Sequence, residues 1–132
     1  MNFRSPHNIP VIYLDRNFGS KIVPTILRNA GIECEIHDDH LKQDAKDEEW
    51  IDLCSKNSWL AITKDSQIKY NAPIKQAIKN SNCGIVIFTA RDLTGEQLGE
   101  LLIKHFNKIV KFYNKNKIPF VGRLTKNGQM SL

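Results

Sequence analysis

Short apolar runs alternate along the chain with stretches whose apolar residues recur at helical spacing. Val11-Ile12-Tyr13-Leu14 leads to Asp15, and Trp59-Leu60-Ala61-Ile62-Thr63-Lys64 leads to Asp65. Their β-branched and aromatic residues predict strands over about 11–14 and 59–63. Residues 33–37, 84–88 and 119–124 predict a second, a fourth and a last strand by the same pattern. Between them, residues 19–30 set Ile22, Val23, Ile26 and Leu27 on one helical face, with Pro24 in the tolerant first turn and Gly31 as the stop. Asp47 is placed to cap a helix carrying Trp50, Ile51, Leu53 and Cys54, with Glu48 and Glu49 near its positive end. Residues 72–80 predict a helix with Ile74, Ala77 and Ile78 turned inward. Thr94 and Gln97 form a capping-box pattern. They open one long helix striped by Leu98, Leu101, Leu102, His105, Phe106, Ile109, Val110 and Tyr113. Residues 38–46 read as a polar loop and those after Leu124 as a loose polar tail. The alternation predicts an α/β class with four or five mostly parallel strands, covered by helices on both faces.

In an open α/β sheet, ligands bind beyond the carboxyl ends of the strands. That placement puts Asp15 and Asp65 on one edge, and a helix start brings Asp47 to the same region. Carboxylates gathered in a small volume repel one another unless a cation sits among them. Oxygen-only donors suit Mg²⁺ or Mn²⁺, and the chemistry they suggest is metal-assisted attack on a phosphodiester. For Asp15 the competing reading is an ion pair with Arg16 or another basic residue, or a cap of the next helix; for Asp65 it is a turn opening the next helix. Asn17 could hold a metal-bound water or simply its loop, and Thr63 and Lys64 could orient Asp65 or meet a phosphate. Helix starts attract acids in any case, so among Asp47, Glu48 and Glu49 the first choice is Asp47, followed by Glu48. Asp38 and Asp39 could add a carboxylate or lie on a solvated loop.

The chain has 132 residues, a length that suits one domain over residues 1–132 with a core at about 10–125. Its net charge of +5 favours acidic partners. Acids concentrate at 38–52 and lysines at 104–126. Lys104, Lys108, Lys111, Lys115 and Lys117 follow the polar side of the expected long helix, as a phosphate track or as a solvated face. Arg16, Lys64 and Lys69 offer a track nearer the acids. Neither a leader-like apolar stretch at residues 1–8 nor a run of ~20 apolar residues is present, so the default location is cytoplasmic. Cys34, Cys54 and Cys83 lack metal-ligand spacing and read as reduced structural thiols. His37 and His40 suit zinc better than magnesium but have no further ligands at suitable spacing, and His105 on the apolar stripe reads as a hydrogen-bonded core residue.

Taken together, Leu14-Asp15-Arg16-Asn17-Phe18-Gly19, His37-Asp38-Asp39-His40 with Asp47-Glu48-Glu49-Trp50, and Leu60-Ala61-Ile62-Thr63-Lys64-Asp65 resemble a PIN domain of the compact PIN-like, VapC-type group. The Leu93-Thr94-Gly95 helix start also fits, and the likeness spans residues 11–121. The resemblance implies a three-layer α/β/α sandwich with acidic residues at one edge, and an Mg²⁺- or Mn²⁺-dependent ribonuclease. It gives Asp15 the role of the first strand-end aspartate, Asp47 that of the helix-start aspartate and Asp65 that of the aspartate after the T-x-D strand. Asp38 or Asp39 would stand in for a glutamate that larger PIN domains carry. It also implies a toxin restrained by a small antitoxin protein, and leaves a homodimer open.

Two other classes compete. A signalling receiver domain would use Asp65 as phosphoacceptor with Thr89 and Lys126, but its usual acid pair after strand one is here Asp15-Arg16. A haloacid-dehalogenase-like phosphatase needs D-x-D where this chain has Asp15-Arg16-Asn17. A PIN-like module that binds RNA or protein without catalysis is the third alternative.

Overall fold

The structure, a computed structural model, describes residues 9–132. The opening stretch 1–8, read above for a leader, lies outside the described residues. The strands are β1 (Ile12–Leu14), β2 (Cys34–Ile36), β3 (Leu60–Thr63), β4 (Gly84–Phe88), β5 (Phe120–Leu124) and β6 (Met130–Ser131). The helices are α1 (Ile22–Asn29), α2 (Asp47–Asn57), α3 (Ala72–Lys79), α4 (Gly95–Lys104) and α5 (Phe106–Lys115). One sheet runs β2-β1-β3-β4-β5-β6. The first five strands are parallel, as the continuous apolar runs predict for strands buried on both faces. Every residue of β3 and β4 is buried.

Alternate strand residues divide between two cores. Ile12, Leu14, Leu60, Ile62, Val86 and Phe88 face a layer that includes Val23, Leu27, Leu98, Leu102 and Ile109. Tyr13, Ala61, Ile85 and Ile87 face Trp50, Ile51, Cys54, Ile74 and Ile78. The result is an α/β/α sandwich with α1, α4 and α5 on one face and α2 and α3 on the other. The chain moves from β1 to β2 in one direction along the sheet and from β4 to β5 in the other, yet α1 and α4–α5 cover the same face. The β4–β5 crossover therefore has the opposite hand to the other three, a rare arrangement for parallel strands. One consequence is that the α2–α3 face is thinly covered at β5, where Val121 is half-buried and Arg123 exposed.

Packing α4 on α1 needs close approach. A Cβ on Gly99 would lie 2.9 to 3.1 Å from three atoms of Ile26, and one on Gly95 would lie 3.0 Å from Ile22. The two glycines thus form a shallow seat for α1. Gly99→Val should wedge the helices apart and cost about 1–3 kcal/mol, the usual scale of overpacking. A urea midpoint equal to that of the unmodified protein would refute that packing.

Four local expectations change. Lys46, not Asp47, is the N-cap of α2, and Asp47 is the first helical residue. The expected long helix breaks at His105, whose φ of −101° and ψ of 6° leave the helical range. The buried His105 ring turns inward, with Nε2 3.0 Å from the Lys126 carbonyl, so it is a hydrogen-bonded core residue as expected. The tail is not loose, because Met130–Ser131 pairs antiparallel with Leu124 and Arg123 as a sixth strand. The loop after β2 begins with a 3-10 turn at His37–Asp39. All three cysteines are free and buried.

Candidate active site

The strand order reverses between β1 and β3, the place where open α/β sheets hold ligands. Asp15 follows β1 directly, and its N–H donates to the Ile62 carbonyl at 3.2 Å, continuing the ladder to β3. Its Oδ1 accepts the Asn17 N–H at 3.0 Å and caps the 3-10 turn Arg16–Phe18, which the buried Phe18 anchors. Its Oδ2 accepts the Thr63 hydroxyl. The same Thr63 oxygen accepts the Asp65 N–H at 3.1 Å. One buried hydroxyl thereby ties together the ends of two adjacent strands and the two aspartates they carry. Asp65 Oδ1 in turn accepts the Gln67 N–H at 2.9 Å, which sets the turn that follows.

Asp47 arrives from the other side of the switch point. Its Oδ1 accepts the Trp50 indole N–H at 2.8 Å, one helical turn along. Trp50 is 3% exposed and stacks on Tyr13, with ring centroids 6.0 Å apart. The Tyr13 hydroxyl meets His37 Nδ1 at 2.9 Å, and His37 Nε2 lies 2.7 Å from the Lys42 carbonyl. A carbonyl only accepts, so Nε2 carries the hydrogen, and in that tautomer Nδ1 accepts from Tyr13. A chain of buried aromatic groups therefore links the end of β2 to the start of α2.

Asp15, Arg16, Asn17, His37, Ala45, Asp47, Trp50 and Asp65 line one cavity of about 60 Å³, room for a few waters or a partly hydrated cation. Burial pushes the Asp15 carboxyl above the ordinary range; its hydrogen bonds to Thr63 and Asn17 oppose this, and the charges of Asp47 and Asp65 add to it. Tyr13 is pushed far up and stays protonated, first by burial, then by Cys54 and by the Asp15 and Asp47 carboxylates.

The other candidates are placed elsewhere. Glu48 is exposed and lines an outer groove with Arg16 and Asp47. Glu49 accepts the Lys46 N–H at 2.8 Å, holding the start of α2. Asp38 and Asp39 are exposed on the turn after β2, and Asp38 accepts the Gln43 amide. His40 pairs with Glu35 at 2.7 Å. Arg16 donates to the Gln43 carbonyl, while Lys64 and Lys69 are half-buried on the loop carrying Asp65. Lys108 and Lys111 are exposed on α5, in the layer that packs the opposite face from α2. Sequence reasoning had not given Trp50 and Tyr13 any part in holding the site, and had weighed His37 only as a zinc ligand. The tryptophan three residues after a helix-start aspartate was the signal available.

The donor chemistry suits a hard divalent cation. Among the described residues, however, no group of three or more His, Cys, Asp or Glu side chains stands close enough together to hold one ion. That excludes a ready-made cage from this arrangement. Mg²⁺ keeps several waters and needs only one or two protein carboxylates, so it would not require such a cage.

The fold is an α/β/α sandwich with acidic residues at its switch point, and sequence comparison gives its family. Residues 10–90 match the family model of the PIN like domain, and the chain belongs to that family. It is also 25% identical over 104 residues, 76% of this chain and 75% of the other, to a protein of Mycobacterium tuberculosis (strain ATCC 25618 / H37Rv) named "Putative ribonuclease VapC45". No solved structure matches.

Proposed function

We propose that this protein is a metal-dependent endoribonuclease of the VapC type, the toxin of a toxin–antitoxin pair, cutting RNA at the Asp15–Asp47–Asp65 cavity. The observation that carries the reading is the meeting of these three carboxylates around one small cavity at the strand switch point. Membership of the PIN-like family and the likeness to a protein named as a ribonuclease support it. Asp15, Asp47 and Asp65 would hold one or two Mg²⁺ or Mn²⁺ ions, each through one or two of the carboxylates with waters filling the shell. The metal when bound supplies an activated water and offsets charge on the phosphate. Thr63 and Asn17 orient Asp15, and Trp50 orients Asp47. Arg16, Lys64 and Lys69 lie on the loops beside the cavity and attract the RNA backbone. A small antitoxin protein is the proposed partner. No helix among the described residues is long and apolar enough to cross a membrane.

The receiver reading loses its geometry. Thr89 donates to the Leu124 carbonyl at 3.3 Å, and neither it nor Lys126 lines the cavity with Asp65.

Single-stranded RNA should be cut in Mn²⁺ or Mg²⁺ and left whole in EDTA. The same metals should raise the thermal midpoint, because a ligand at 100 times its Kd adds about 2.7 kcal/mol. Asp47→Asn should lose both responses. Cleavage that persists in EDTA, or an equal metal shift in Asp47→Asn, would remove the metal from this site.

A further inference from the structure

The loop between β3 and α3 carries more than Asp65. After the Asp65–Gln67 turn, Ile68 is buried and plugs the loop into the α2–α3 core. The Tyr70 N–H closes the next turn on the Gln67 carbonyl at 2.9 Å, and Asn71 caps α3 by accepting the Ile74 N–H at 3.1 Å. Held at both ends, the loop presents Tyr70 to solvent with 71% of its surface exposed, and the Lys69 ammonium lies 5.6 Å over its ring. Tyr70, Gln67, Asn71 and Ile74 line a groove of about 320 Å³ together with Asp47 and Asp65, which also line the acidic cavity. The acidic cavity and the groove beside Tyr70 thus share two carboxylates.

A single exposed aromatic residue is ordinary on a protein surface. Here its position is the point, because two hydrogen-bonded turns link it to a cavity aspartate and a lysine stands over it. Resting on the nuclease reading above, we infer that Tyr70 is a stacking platform for one unpaired RNA base flanking the phosphate at the carboxylates, with Lys69 meeting the adjoining phosphate. The substrate is then RNA that is single-stranded at the cut. A duplex hides its base faces within the stack, whereas a splayed base offers its face to an aromatic ring. Stacking of this kind tolerates any base, so Tyr70 selects unpaired structure rather than sequence. The chain's net charge of +5 suits such a partner.

The test measures binding of a fluorescein-labelled, mixed-sequence RNA 12-mer, single-stranded or annealed to its complement, in Ca²⁺ and again in EDTA. Unmodified protein, Tyr70→Ala and Tyr70→Phe are compared, with circular dichroism confirming the fold of each. Tyr70→Ala should weaken single-strand binding between about 5- and 150-fold and leave duplex binding unchanged, while Tyr70→Phe keeps the ring and the affinity. Single-strand affinity unchanged in Tyr70→Ala, with cleavage intact in the unmodified protein, overturns the platform alone and gives the ring to a protein partner. An unmodified protein that neither binds nor cuts RNA overturns the nuclease reading and the platform together.

Discussion

Asp15→Asn should abolish RNA cleavage and raise, not lower, the thermal midpoint at neutral pH. The loss of activity should reach at least ~10²-fold, the scale on which misplacing a reacting group by about 1 Å already acts. The gain in stability follows from where the carboxylate lies. Asp15 is 6% exposed, and burial lifts its pKa above the ordinary 3.8, with the Asp47 and Asp65 charges lifting it further. The folded protein therefore binds a proton at Asp15 more readily than the unfolded chain does. In the window between the unfolded and folded pKa values, stability falls as pH rises, and above the folded value the full cost of the buried charge remains. Asparagine removes that cost while still accepting a hydrogen bond from Thr63 or Asn17. The advantage of the variant should thus be greatest at neutral pH and fade as pH falls towards 3.8. Unfolding curves between about pH 4 and 8, beside a cleavage assay, measure both parts. A variant less stable than the unmodified protein throughout would show that the buried carboxylate stabilises the fold, and full cleavage would remove Asp15 from the chemistry.

Trp50→Ala should cost about 3–5 kcal/mol, a large share of the ~5–15 kcal/mol that holds a domain together. The indole is 3% exposed, stacks on Tyr13 and fills the core under α2. Trp50→Phe separates packing from positioning. It keeps most of the buried ring but removes the N–H that holds Asp47 Oδ1 at 2.8 Å. Its unfolding midpoint should fall far less than that of the alanine variant, while cleavage falls sharply because Asp47 is released. Denaturant midpoints and initial cleavage rates for the two variants give the comparison. Full activity in Trp50→Phe would mean that Asp47 needs no such anchor.

Most elements were legible because their periods are local. The runs at β1, β3 and β4 and the Thr94–Gln97 capping box need only neighbours a few residues apart, and Thr94 does cap α4 with both capping-box hydrogen bonds formed. The break at His105 was not legible, because the apolar stripe continues unbroken through it. The break coincides with a contact invisible to local spacing, the hydrogen bond between the His105 ring and the Lys126 carbonyl 21 residues away. The tail misled for a similar reason: Met130–Ser131 is short, lies in a mostly polar stretch, and takes its order from pairing with β5 and the packing of Met130 on the core.

By itself, the sequence determined the class of fold and which acids end strands or start a helix, because hydrophobic period and local charge are properties of neighbours along the chain. Only the tertiary structure decided that Asp38, Asp39 and Glu48 lie outside the cavity that Asp15, Asp47 and Asp65 share with His37 and Trp50. It alone also decided the hand of the β4–β5 crossover and the Thr63 hydroxyl that joins two strand ends. These depend on strand order and helix face, which bring together groups far apart in sequence and leave no trace in local spacing.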